Sequence, residues 1–400
     1  MTSATLRLLQ SDLIRLPKDL GASELTPFLR GCYDEFQRAV ACLDDAVDKE
    51  VRSRRAGISS LCESILVAVP NAEHGELDAA VASISNGLDA VRDDLLTVAR
   101  QNEATILRGQ SLYRVRSSKG RPLSDPRDLF HLPFELRDLA APARYSKHGV
   151  PCLYLANSIY TCWTECRLPE ISECEKHVLD AAYASRFEFA RQPLVLDLCY
   201  PPWALSSALD SVENPPLPEL AGLQQMNAPI GPDAVDRVRY LGSWLAIWPL
   251  LAAVSLRSAS AGSAGPVRPE YIVPQMLMAW VHGSLSFDGI RYFSTRELPG
   301  NNDNDYAINY AFPAKTSQAS GHCAALERLF HCTRPVGFQH VASAGLSKLL
   351  SAEHFALAES KSRRYMIVDQ ENIRHYYGTT YCDMEYALDP EPLYTLVAYD

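Results

Sequence analysis

The stretch Phe130–Glu165, FHLPFELRDLAAPARYSKHGVPCLYLANSIYTCWTE, decides how the chain is read. It places an arginine–aromatic pair, Arg144 and Tyr145, just before a turn made of Lys147, His148 and Gly149. A strand-like run follows from Cys152 to Ala156. A helix is then expected over Ser158–Cys166, opened by a serine hydroxyl at its cap and carrying Glu165. A guanidinium and a carboxylate with aromatic rings between them suit an anionic ligand that also presents a flat ring.

Further short strands are expected at Leu112–Val115, Leu194–Leu198, Gly289–Ser294, Tyr306–Phe312, Tyr365–Val368 and Leu393–Ala398. Helices are expected at Leu241–Leu256 and, after Pro274, within Ile272–Val281. Pro201, Pro202, Pro215, Pro216 and Pro218 mark a long irregular connection, and Ser258–Pro269 reads as an exposed loop. Short strands mixed with helices indicate an α+β fold rather than a doubly wound sheet.

The N-terminal third reads as helical. Thr26-Pro27 predicts a helix start, and Phe28, Cys32, Phe36, Val40, Leu43 and Val47 follow as one apolar stripe. A second helix is expected over Ile58–Val69, stopped by Pro70-Asn71. A third stripe runs Leu77, Val81, Ile84, Leu88, Val91, Leu95, with the spacing of a bundle helix. Its polar face carries no catalytic grouping and reads as an ordinary solvated face; the alternative is a docking or dimerisation module, which could also hold a regulator. The expected division is a helical bundle over 1–105, a strand-rich catalytic domain over 106–330, and a C-terminal extension over 331–400 packed on that domain.

Composition excludes several classes of function. At 400 residues and 47% hydrophobic content the chain can bury a large core, and a net charge of −10 argues against a nucleic-acid platform. The 11 cysteines are odd in number and scattered, with no signal peptide at Met1, so they read as reduced thiols in a cytoplasmic protein. The longest apolar run, Trp244–Leu256, falls short of the roughly 20 residues of a membrane helix and contains Pro249, so it reads as a buried helix. Cys162, Cys166, Cys174 and His177 do not have structural-zinc spacing, and no metal site is expected. The phosphate-binding GxxxxGK and GxGxxG loops are absent from the positions where they would signal a nucleotide fold.

The central half of the chain, about Leu107–Pro313, resembles the RES domain family, named for its Arg, Glu and Ser positions. The pieces that carry the likeness occur in family order. They are Tyr113-Arg114, Arg144-Tyr145 with Gly149, the strand with Tyr154, Thr161–Glu165, Pro274-Gln275, and Phe287–Ser294. Small members carry Gly-Arg-Trp-Asn where this chain has Ala143-Arg144-Tyr145-Ser146. The resemblance implies a fold like the ADP-ribosyltransferases and the degradation of NAD, as in the toxins of toxin–antitoxin pairs. It places Arg144, Tyr154 and Glu165 at the catalytic positions, Ser294 at the family serine and Arg114 at its early arginine.

NAD would then be the substrate, with no separate cofactor. Its cationic pyridinium is already a good leaving group, and the transition state is a ribose oxocarbenium ion. Glu165 would stabilise that charge, Arg144 and then Arg114 would clamp the diphosphate, and Tyr145 or Tyr154 would wall the nicotinamide. Ser294 would hydrogen-bond a phosphate, a ribose or the carboxamide. Hydrolysis or phosphorolysis of NAD is the leading expectation. The alternatives are ADP-ribose transfer to a macromolecule and a catalytically silent NAD or ADP-ribose sensor. A protein inhibitor or regulator on the N-terminal helices and a homo-oligomer are the expected partners.

Overall fold

The structure, a computed structural model, describes residues 4–43, 47–106, 110–118, 120–171, 174–199, 234–258, 268–295, 307–315, 318–344, 366–368, 373–376 and 379–396. The proline-rich connection at 201–218 and most of the loop at 258–269 lie outside the described residues. So do the outer ends of three expected strands, at Tyr306, at Tyr365 and at residues 397–398.

The first half of the chain gives α1 (Ala4–Leu9), β1 (Lys18–Asp19), α2 (Leu25–Ala41), α3 (Asp48–Glu73), α4 (Leu77–Ala90), α5 (Arg92–Ile106), β2 (Leu112–Ser117), β3 (Cys152–Ala156), α6 (Ile159–Glu165), α7 (Lys176–Ala181), β4 (Ala182–Phe189) and β5 (Val195–Asp197). The second half gives α8 (Ala234–Val254), β6 (Leu256–Arg257), α9 (Pro269–Gly283), β7 (Gly289–Phe293), β8 (Ile308–Pro313), α10 (Ala324–Glu327), β9 (Phe330–Cys332), β10 (Val336–Gly337), α11 (Phe338–Ala344), β11 (Met366–Val368), β12 (Ile373–His375), α12 (Thr380–Leu388) and β13 (Tyr394–Thr395). Helices and strands alternate irregularly, so the fold is α+β.

These elements pack as two compact units, each gathered from several segments. One holds Met1–Ile106, Ala141–His148 and Leu194–Ile290; the other holds Leu107–Ala140, Gly149–Pro193 and Arg291–Asp400. The break expected near residue 105 falls at the end of α5. Beyond it the packing is woven rather than contiguous. Residues 194–290 join the N-terminal helices, and 331–396 supply strands to the second unit's sheet.

The first unit is built around α8. From Tyr240 to Val254 its apolar side chains are at most 2% exposed, which is the signature of a helix buried on every side. The Phe36 ring of α2 stacks on Trp248 at 4.3 Å, the Tyr33 hydroxyl donates to the Pro249 carbonyl at 3.0 Å, and the Trp248 indole donates to the Ile14 carbonyl at 3.3 Å. Gly242 lets α8 approach α3 closely, since a Cβ there would lie 2.7 Å from the Glu50 Cβ. Arg54 of α3 donates to Asp94 of α5 at 2.7 Å and to Glu50 at 2.6 Å, and Ser243 of α8 donates to the same Asp94 oxygen at 2.8 Å. Among the described residues, no helix is long and apolar enough to cross a membrane.

The N-terminal helices differ in detail from their expected bounds. The first starts at Leu25 with Glu24 at its cap and no side-chain capping bond, so Thr26 is inside the helix. Its buried stripe is Leu25, Leu29, Tyr33, Phe36 and Val40, with Phe28 and Cys32 only partly buried beside it; Tyr33 and Phe36 of this stripe reach α8. The second helix runs on through Pro70 to Glu73, because a proline in the last turn removes a single ladder bond while Ile65, Ala68 and Val69 stay buried. The third stripe breaks at Val91 into two helices, and its first residue, Leu77, is 47% exposed.

The second unit is a sheet with strand order β13–β9–β4–β2–β3–β8–β7, and β10 pairs with β4. The pairs from β13 to β8 are antiparallel. Alternation assigns the two faces. Tyr113 sits opposite Ala156, and both pack into one core with Ile159 and Trp163 of α6 and Tyr381 and Met384 of α12. The other face is an aromatic layer in which the rings of Phe130, Phe187, Phe330 and Phe312 contact one another in sequence. The longest strand, β4, was not expected from the sequence, although Tyr183, Phe187 and Phe189 alternate along it. Buried on both faces at its start, it lacks the polar–apolar alternation of a half-exposed strand.

Candidate functional site

Glu165 is the last residue of α6, and its Oε1 accepts two hydrogen bonds. One comes from the Ser294 hydroxyl and one from the Asn309 side-chain amide, each at 2.8 Å. Three segments converge to make this arrangement. Ser294 directly follows β7, and its backbone N–H donates to the Ala307 carbonyl at 2.7 Å. Asn309 is the second residue of β8 and pairs with Ala156 of β3. Asn157 prolongs that ladder, since its N–H donates to the Ile308 carbonyl and its side-chain oxygen accepts from the Ile308 N–H. Ser294 and Asn309 are 6% and 4% exposed while Glu165 is half-buried, so two buried donors orient a carboxylate that still reaches solvent.

The helix that carries Glu165 is short and is fixed along its length. Ser158 caps it as expected, its hydroxyl accepting from the Thr161 N–H at 3.1 Å. The Cys162 thiol donates to the Tyr113 carbonyl at 3.1 Å and the Cys166 thiol to the Val115 carbonyl at 3.5 Å, so α6 lies along β2. Cys174, further on, donates its thiol to the Pro169 carbonyl at 3.2 Å. The Ile159 N–H is taken by the Oε1 of Glu385 in α12 at 2.9 Å, and the Tyr376 hydroxyl donates to the same oxygen at 2.5 Å.

Of the residues singled out from the sequence, Glu165 and Ser294 are brought together. Tyr154 is half-buried in β3 opposite Ala311. It therefore shares a sheet face with Asn309, one pleat away. Its hydroxyl hydrogen-bonds the Cys152 thiol, which burial pushes up to about 12. Arg114 lies on the opposite, aromatic face, because it alternates with Tyr113 and pairs with Ser185. Its guanidinium donates to the Phe130 carbonyl at 2.9 Å, and burial pushes it down to about 10. The structure does not bring Arg114 to the Glu165 carboxylate.

Arg144 and Tyr145 belong to the first unit. They occupy a turn closed between Ala143 and Ser146, and the Gln275 amide of α9 holds both flanking carbonyls, at 3.0 and 3.3 Å. The two terminal nitrogens of Arg144 donate to the carbonyls of Val254 and Leu256 at 3.1 and 3.2 Å, and its guanidinium lies 5.3 Å from the Tyr271 ring. This places a cation at the C-terminal end of α8, where the helix dipole favours it. Tyr145 is completely buried, and burial raises its phenol well above the usual range, so its ring offers no open wall. Asn309 and Glu385 were missed in the sequence. Asn309 could have been found as the one polar side chain inside the strand-like run YAINYAF, and the helix of Glu385 from its cap, since the Thr379 hydroxyl accepts from the Cys382 N–H at 3.3 Å.

The class defined so far is an α+β protein whose buried serine and asparagine hold a glutamate at the end of a sheet-packed helix. No family model matches the chain, and no solved structure matches it. It is similar to a protein of Bacillus subtilis (strain 168) named "Putative toxin YopC", at 26% identity over 326 residues, which cover 80% of this chain and 67% of that protein. The likeness sets the chain beside a toxin-like protein.

Proposed function

We propose that this protein consumes NAD by breaking the bond between nicotinamide and ribose, and that it acts as a toxin restrained by an inhibitor protein. The observation that carries the reading is the Glu165 carboxylate fixed by Ser294 and Asn309. The RES-like order of Tyr113-Arg114, Arg144-Tyr145, Glu165 and Ser294 supports it, as does the likeness to a protein named as a toxin.

In this reaction the C1′–N bond breaks and its electron pair neutralises the pyridinium. No acid is needed for that departure, and positive charge gathers on the ribose ring. A carboxylate already oriented by two donors stabilises the charge without having to reorganise, which is where an enzyme gains most. Water then attacks C1′, giving ADP-ribose and a proton, or inorganic phosphate takes its place. Arg144 donates through both terminal nitrogens to the end of α8, so this reading assigns it no role in the step.

The test is to incubate the purified protein with NAD and follow free nicotinamide, identifying the second product by mass. Glu165→Gln keeps the shape and the Asn309 and Ser294 partners but removes the charge, and turnover is expected to fall by roughly 10²–10³. Absence of nicotinamide release from the wild type, or full turnover by Glu165→Gln, would overturn the reading. A toxin of this type should also stop growth when expressed, and Glu165→Gln should relieve the arrest.

A further inference from the structure

Glu385 is 3% exposed, yet it is a carboxylate set among apolar neighbours. Burying such a group is costly unless it is fully engaged by donors. Its Oε1 receives the first N–H of α6 and the phenol of Tyr376. That first N–H has no partner inside its own helix, so Glu385 supplies from elsewhere in the chain what a short helix cannot supply itself. A negative group at that end also complements the helix dipole. The grip continues along the side of α6, where the Tyr381 ring lies 5.2 Å from Tyr160 and 6.2 Å from Trp163. The Tyr381 hydroxyl donates to Glu170 at 2.9 Å, just beyond the helix. At the far end of α12, Arg186 of β4 donates to the carbonyls of Leu388, Asp389 and Glu391 at 3.2–3.3 Å and pairs with Glu188.

We propose that Glu385 is a positioning residue, its carboxylate fixing the start of α6 so that Glu165, at the other end of the helix, is held in line for the departing pyridinium. The role assigned to Glu165 here rests on the NAD reading; the clamp on α6 does not. With 1.5 Å of rise per residue, the two ends of this helix lie about 9 Å apart. A small tilt at Ile159 therefore becomes a displacement of the carboxylate large enough to spoil a preorganised site.

Two measurements on the full chain test this. Hydrogen exchange over Ile159–Glu165, made without substrate, reads the clamp itself. Nicotinamide release from NAD reads its consequence. Glu385→Ala should speed exchange across α6 by about tenfold and lower kcat by about tenfold or more at an unchanged KM. Glu385→Gln keeps an acceptor for both donors and should restore both readouts to within about threefold of wild type. If Glu385→Ala does not fold, Tyr376→Phe removes one donor only and should still quicken exchange and lower kcat. Wild-type exchange in Glu385→Ala or, failing that variant, in Tyr376→Phe would overturn the proposal. So would a loss of kcat that Glu385→Gln does not restore. If wild type releases no nicotinamide, the NAD reading fails by itself, and the exchange rates still decide whether Glu385 holds the helix.

Discussion

Ser294 and Asn309 both donate to a single oxygen of Glu165, so their removal should be felt differently from their inversion. Asn309→Asp puts a second carboxylate where an amide donor stood 2.8 Å from Glu165, and like charges at that range repel strongly. Nicotinamide release from Asn309→Asp is expected to fall at least as far as in Ser294→Ala, which loses one donor and should drop by about tenfold. A variant order with Ser294→Ala the weaker enzyme would place the serine, not the asparagine, nearest the reacting atoms. His131 gives a pH prediction. Its Nε2 accepts from the Cys323 N–H at 2.8 Å, which leaves the ring proton on Nδ1, donated to the Leu132 carbonyl at 2.7 Å. Burial holds its folded pKa down at about 4. Unfolded, it takes up its proton near the usual value of about 6.5, so the unfolded state binds the extra proton between those limits. Stability present above pH 6.5 is then lost as the pH falls towards 4, by up to about 3 kcal/mol. Urea midpoints across that range should show the loss in wild type and a smaller one in His131→Gln. Glu165 and Ser294 were legible in the sequence as pieces of an ordered pattern. Arg114 was part of the same pattern, yet strand alternation turns it away, and a sequence does not say which face of a strand a later helix will cover.

At the level of elements, caps supplied from a distance recur. Ser158 caps α6 locally, and it was readable because a hydroxyl stood directly before an apolar helix. Glu385 on α6, Arg186 on α12 and Arg144 on α8 come from other parts of the chain, and nothing near those helix ends announces them. Arg144 therefore predicts a structural phenotype. In Arg144→Lys one ammonium cannot span the carbonyls of Val254 and Leu256 as a planar fork does. Its melting temperature should fall by the few degrees that correspond to about 1–2 kcal/mol, at an unchanged KM for NAD. A raised KM with an unchanged melting temperature would instead give Arg144 the diphosphate role expected from the sequence. Pro70 was misread for a related reason: propensity marks it as a stop, while burial of Ile65, Ala68 and Val69 carries α3 one turn further.

For the whole molecule, the α+β class followed from short strands interspersed with helices, while the assembly of its units did not. Hydrophobic periodicity reports which face of α2 or α3 is apolar but not that its partner, α8, lies some two hundred residues later; Tyr33 and Pro249 are 216 residues apart. A fragment of residues 1–106 would expose the faces that α8 covers. Expressed alone, it is expected to lack a near-ultraviolet circular dichroism signal and to sediment as aggregates, whereas a soluble, well-packed fragment would mean that these helices fold independently. The same weaving has a temporal side. Ile159 and the glutamate that anchors it are 226 positions apart, so a ribosome must add most of the second half of the polypeptide before α6 can lock. If the proposed NAD cleavage is correct, a nascent chain that already displays Glu165 should be inactive, and an in vitro translation stopped before Glu385 should release no nicotinamide while the completed chain does.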